Sequence, residues 1–105
     1  MAIFELRTYT LKPGKLAAYL DLYQAEAMAI HVRHLGPSIG WWQCDIGPLN
    51  QLVMLFRYDS HEERERRRAA LYSDPEWLAF LPKTADYITA MDNRILKATA
   101  FSPMQ

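Results

Sequence analysis

The sequence predicts an α+β domain of the ferredoxin-like kind, with elements in the order β-α-β-β-α-β and one four-stranded antiparallel sheet. Three observations predict it. Residues 3–11 and 51–58 are rich in β-formers. Two other stretches read as helices, the one after residue 15 by apolar residues at three- and four-residue spacing and the one after Ser60 by its capping box. The tetrapeptide "GPLN" at 47–50 is turn chemistry, and a gap this short makes the second and third strands an antiparallel hairpin.

Each element has a local reason. In the first strand, 3–11, Phe4, Leu6 and Thr8 point one way and Glu5, Arg7 and Tyr9 the other; "KPG" at 12–14 ends it. Leu16, Tyr19, Leu20, Tyr23, Ala27, Ile30 and His34 then predict one five-turn helix, stopped by Gly36 and Pro37. Residues 39–46 read as the second strand and 51–58 as the third. Ser60 and Glu63 have capping-box spacing and open a second helix that stops near Tyr72 and Ser73. Asp74-Pro75 starts another, with Asp as cap and Pro at the first position. Trp77, Leu78, Phe80 and Leu81 form its apolar face, and Pro82 predicts a break or kink at Leu81. A further helical turn or two through Tyr87, Ile88 and Met91 follows, and the last strand falls within 93–101.

One domain over residues 1–105 is the expectation from a chain of 105 residues, half of them hydrophobic. Twelve basic residues balance twelve acidic ones, which argues against nucleic acid or an anionic membrane as partner and permits self-association. The lone Cys44 cannot form an internal disulfide and is expected to be a buried structural thiol in a reducing compartment. No apolar run spans a membrane and no leader pattern is evident, so the expected location is cytoplasmic. Strand three is apolar on both faces, Val53 and Leu55 on one and Leu52, Met54 and Phe56 on the other. Helices cover one face. A second copy of the chain is the economical cover for the other, so a homodimer is expected.

"EERERRR" at 62–68 pairs Glu62 with Arg66 and Glu63 with Arg67 at i,i+4, a solvated ion-paired helix rather than a nucleic-acid patch. "HVRH" places His31 and His34 three apart, which suits helix-end packing better than a metal site; no metal is expected. No phosphate loop, dinucleotide fingerprint or Ser-His-Asp signature is present. Trp41 and Trp42 face opposite ways on their strand. One ring is expected in the helix-side core and the other beside Arg7 and Tyr9. There they form either an amphipathic pocket for an anionic oxygen or an interface in which Glu5 and Arg7 satisfy each other.

"FELRTYTLKPG", "IGPLNQLVMLFRYDS", "ERRRAAL", "DPEWLAFLP", "MDNRIL" and "FSP", in that order and nearly end to end, resemble the NIPSNAP family. That family is similar to the dimeric α+β barrel superfamily. The resemblance implies two ferredoxin-like sheets closing into a barrel across a dimer, one face of each sheet lining the barrel and the other under the helices. Related barrels include cofactor-free monooxygenases, haem-handling enzymes and muconolactone-isomerase-like proteins. Many relatives show a histidine where this chain has Met54, which puts histidine-dependent chemistry in question while aromatic enclosure is kept.

Two functions follow as expectations. The first is a small-ligand-binding dimeric barrel, a cofactor-free monooxygenase or isomerase acting on an aromatic or enolisable compound. Arg7 would hold an anionic oxygen, Tyr9 would donate a hydrogen bond, and Trp41 or Trp42 would stack, with Asn50, Met54 and Arg94 as further candidates. The second is a non-catalytic interaction or stress-associated dimer, since no nucleophile–base pair is evident. Haem binding ranks last, because His31, His34 and His61 all lie off the expected strands. In either case the Glu5–Arg7–Tyr9 face is expected to point into the dimer barrel.

Overall fold

The computed structural model describes residues 1–105. Its elements are β1 (Ile3–Leu11), α1 (Leu16–Glu26), α2 (Met28–Leu35), β2 (Gly40–Gln43), β3 (Gln51–Tyr58), α3 (His61–Leu71), α4 (Pro75–Thr84) and β4 (Ile88–Leu96), with a single 3-10 turn at Ala85–Tyr87. The four strands form one sheet in the order β2-β3-β1-β4. All neighbours are antiparallel, which is the predicted ferredoxin-like arrangement. No helix is long and apolar enough to cross a membrane.

The strand register decides which residues share a face. Glu5, Arg7 and Tyr9 stand opposite Phe56, Met54 and Leu52, and Trp41 stands opposite Met54. Leu52, Met54 and Phe56 are buried with Tyr19, Tyr23, Ile30, Leu35, Leu71, Trp77 and Phe80 of the helices in one core. The Glu5–Arg7–Tyr9 side is therefore the helix side, and this overturns the expectation that it faces a dimer barrel. The alternation holds, but alternation alone does not say which of two faces the helices will cover. The open face carries Phe4, Leu6 and Thr8 with Val53, Leu55 and Trp42. The C-terminal residues Lys97 to Met104 fold over the Phe4–Leu55 end of it.

The expected five-turn helix is two helices meeting at Ala27, a fully buried residue with φ −119°. Neither Gly nor Pro marks this break. It sets Tyr23 and His31, eight residues apart, side by side. Gly36 ends α2 at φ 78°, as a glycine can. β2 is shorter than the predicted 39–46, although Ile39 and Cys44 each donate one backbone hydrogen bond to β3 beyond its ends. A Cβ on Gly40 would come within 2.5 Å of the Trp42 ring, so that glycine lets the indole lie across the backbone.

The caps are mostly as read. Ser60 Oγ accepts the Glu63 N–H at 3.0 Å, but the Glu63 carboxylate reaches one residue further back, to the Asp59 N–H. Asp74 Oδ1 accepts the Glu76 N–H, while its Oδ2 takes Arg33 and His34, tying α2 to α4. These bonds, His34's foremost, hold the Asp74 carboxyl below its usual range. Pro82 does not break its helix at Leu81. α4 runs on to Thr84, because a proline this near a helix end forfeits one bond only. The residues expected to continue the helix, Ile88 and Met91, instead pair with Leu11 and Tyr9 of β1, so the last strand is 88–96 rather than within 93–101. Cys44 is half-buried in the hairpin turn, its thiol donating to the Ile46 carbonyl at 3.4 Å, and is not a core thiol.

Candidate functional site

The sheet's helix side carries a charged cluster at its centre. Glu5 is fully buried, and its Oε2 accepts from Arg64 Nη2 at 2.6 Å, Arg64 Nε at 3.1 Å, Asn93 Nδ2 at 2.9 Å and Arg7 Nη1 at 3.3 Å. Burial pushes this carboxyl up. The bonds from Arg64 and Asn93 and the charges of both arginines outweigh it and hold the group below its ordinary range. Arg7 also donates to the Tyr9 hydroxyl at 3.1 Å and lies over that ring.

Above this cluster is a small chamber of about 60 Å³ between sheet and helices. Four of the seven sequence candidates, Arg7, Tyr9, Trp41 and Met54, line it together. The other three are elsewhere. Trp42 is half exposed on the open face. Asn50 occupies the hairpin turn at φ 66°, where its carbonyl accepts the Leu11 N–H, a backbone role that asparagine suits. Arg94 is exposed at the sheet edge beside Asp92.

Sequence reasoning missed His31. Its ring lines the same chamber as Met54, so an imidazole is supplied from α2 although strand three has none. His31 Nδ1 and the Tyr23 hydroxyl share a hydrogen bond of 2.6 Å. The ring stacks on Trp77 at 5.0 Å and meets Phe56 and Trp41 edge-on. Burial, helped by the charges of Arg68 and Arg7, lowers its pKa from 6.5 to about 4, so it is neutral at physiological pH. Burial also pushes the Tyr23 hydroxyl up. His31 and His34 take separate partners, Tyr23 and Asp74, and do not converge on one point.

A larger space opens on the other side of the same residues. This groove, about 370 Å³, lies between α1, α2 and the β2 edge. Tyr23, His31 and Trp41 line both spaces, with Tyr23 and Trp41 in ring contact at 4.4 Å. Leu20, Met28, Val32 and Phe56 complete its apolar walls, and Gln24 and Ser38 add neutral polar groups. The volume falls within the range of organic-ligand pockets, whereas the inner chamber has room only for a small polar group or water.

With this geometry in view, comparison with known proteins places the chain. Residues 4–103 match the NIPSNAP family model. The chain belongs to the NIPSNAP family. A NIPSNAP family protein from Agrobacterium tumefaciens is 40% identical, each chain covered fully, with a TM-score of 0.96. A NIPSNAP-like domain protein from Burkholderia xenovorans is 40% identical over 97% of this chain and 89% of its own, with a TM-score of 0.92. The NipSnap homologue of Dictyostelium discoideum is 32% identical over 90% of this chain but only 41% of its own length, so this NIPSNAP chain spans about two fifths of that relative. A candidate antibiotic biosynthesis monooxygenase from Nitrosomonas europaea is 13% identical over 96% of this chain and 93% of its own, with a TM-score of 0.67, a likeness of fold alone.

Proposed function

We propose that this NIPSNAP domain binds a small organic molecule in the groove between α1, α2 and the β2 edge, and that it works as a homodimer. The groove itself carries the proposal: about 370 Å³, aromatic walls, and a neutral imidazole with one ring nitrogen bonded to Tyr23 and the other unclaimed by the protein. Arg7 and Tyr9 shape the floor of the neighbouring chamber rather than grasp the ligand, because they are already bonded to Glu5 and to each other. If the site is catalytic, the chemistry within reach is proton movement at His31 on an aromatic or enolisable compound, as in a cofactor-free oxygenase or isomerase. The homodimer rests on the open sheet face, where Leu6, Val53, Leu55 and Trp42 lie uncovered by helices. Two such faces would close into the barrel implied by the fold. The lone free Cys44 suits a reducing, cytoplasmic setting.

A second reading has its own support. Glu5 Oε2 gathers Arg7, Arg64 and Asn93, and Arg7 bonds Tyr9 in turn, a linkage of protein groups to one another as expected of a structural centre in a non-catalytic interaction module. Native mass spectrometry of freshly purified protein separates the two. A dimer carrying a reproducible small mass, lost in Val32→Trp where the groove is filled, supports the ligand-binding reading. A clean dimer in both, with no small molecule bound from a metabolite extract, supports the interaction module.

A further inference from the structure

None of the ten residues lining the groove carries a charge at neutral pH. They are Leu20, Met28, Val32, Phe56 and Gly36, the aromatics Tyr23 and Trp41, the neutral polar Gln24 and Ser38, and His31 in its uncharged form. The nearby cations are otherwise engaged: Arg7 and Arg68 line the inner chamber, Arg64 is spent on Glu5, and Arg67, which lies against Gly36 at the groove's end, is paired with Glu63 at 2.8 Å. An ionised ligand entering an apolar groove without a counter-charge would lose its hydration uncompensated. The polar groups of the groove are all uncharged: Gln24, Ser38 and the imidazole of His31, which joins the aromatic wall. Tyr23 bonds His31 at Nδ1, and Nε2 has no protein partner. Whichever tautomer that bond selects, Nε2 is left as either an N–H or a lone pair. A ligand hydroxyl can accept from the first and donate to the second, so it fits both.

From these observations, and resting on the ligand-binding reading above, we infer that the groove selects an uncharged, hydroxylated planar aromatic molecule, its ring against Trp41 and Tyr23 and its hydroxyl on His31 Nε2.

The test uses matched probes on the intact protein at pH 7, titrated by calorimetry: 2-naphthol, which is uncharged, 2-naphthoate, which is anionic, and naphthalene, which has no oxygen to bond either tautomer. The expected order is 2-naphthol about tenfold tighter than naphthalene and also tighter than naphthoate. In the double variant Tyr23→Phe/His31→Phe, which removes both hydrogen-bonding partners together, naphthol should lose its advantage over naphthalene. In Val32→Trp, at a position 40% exposed and so tolerant of change, all three should bind at least tenfold more weakly. Naphthoate binding as tightly as naphthol, or a naphthol preference that survives the double variant, would overturn the inference while leaving a ligand-binding groove intact. No binding by any probe would overturn both.

Discussion

Arg64, on α3, reaches down to the sheet and closes on the fully buried carboxylate of Glu5 at 2.6 Å. Helix and sheet are thus joined by charge at the centre of an otherwise apolar interface. Burying Glu5 is costly, and only the converging donors of Arg64, Asn93 and Arg7 offset that cost. Replacing the acid strands two cations. Glu5→Gln is expected to destabilise the fold by about 3 kcal/mol, read as a lower denaturant midpoint. A loss below about 1 kcal/mol would show the cluster to be mere solvated surface chemistry.

His31 makes stability depend on pH. Its folded pKa, about 4, lies below the ordinary histidine value of 6.5, so between these limits the unfolded chain binds more protons than the native one. Stability therefore rises with pH across that window and is flat with respect to this group above it. The shift corresponds to about 3 kcal/mol lost on acidification from pH 7 to pH 4. Glu5, with its depressed pKa, adds loss in the same direction at lower pH. In Tyr23→Phe/His31→Phe the slope between about pH 5 and 6.5, above the carboxylate range, should largely vanish. Denaturant melts at half-unit pH steps give the answer, and an unchanged slope would reject the neutral buried imidazole.

The open sheet face makes a separate prediction. Val53 pairs with Thr8 and Trp42 at its middle, opposite the helices. Val53→Arg should leave the helix-side core intact and cost at least about 2 kcal/mol of association, roughly thirtyfold in dissociation constant. Sedimentation velocity at micromolar concentration should show a dimer for the natural protein and a folded monomer for the variant. An unchanged dimer would move the interface to another surface, such as the exposed Met91 and Ile95 of β4.

Much of this was legible in the sequence, and the exceptions share physical causes. Alternation in β1 and β3, the "GPLN" turn and the Ser60 and Asp74 caps are local signals, and each appears where local chemistry put it. Ile88 and Met91 are apolar at spacings that suit either a helix or a strand, and only pairing with β1 makes them a strand. The break at Ala27 has no local marker; its effect is to seat Tyr23 beside His31. For the site, alternation puts Glu5, Arg7 and Tyr9 on one face of β1, but neither the register that sets Met54 and Trp41 beside them nor the side the helices cover is a local property of the sequence. "HVRH" suggests no more than helix-end packing for His31, because a histidine on a helix carries no local signal of where it will point. What could have found it is its position: it falls four residues after Ala27 and eight after Tyr23, on the same helical stripe.

The central claim is that the groove, not the open sheet face or the Arg7 cluster, is where a ligand sits. Amide chemical-shift mapping of the isotope-labelled protein with 2-naphthol tests it most directly. Shifts are expected to concentrate at Gln24, Val32, Ser38 and Trp41, with Trp42, Leu55 and Arg94 silent. Shifts concentrated on Trp42 and Leu55, or no saturable shifts at all, would contradict it.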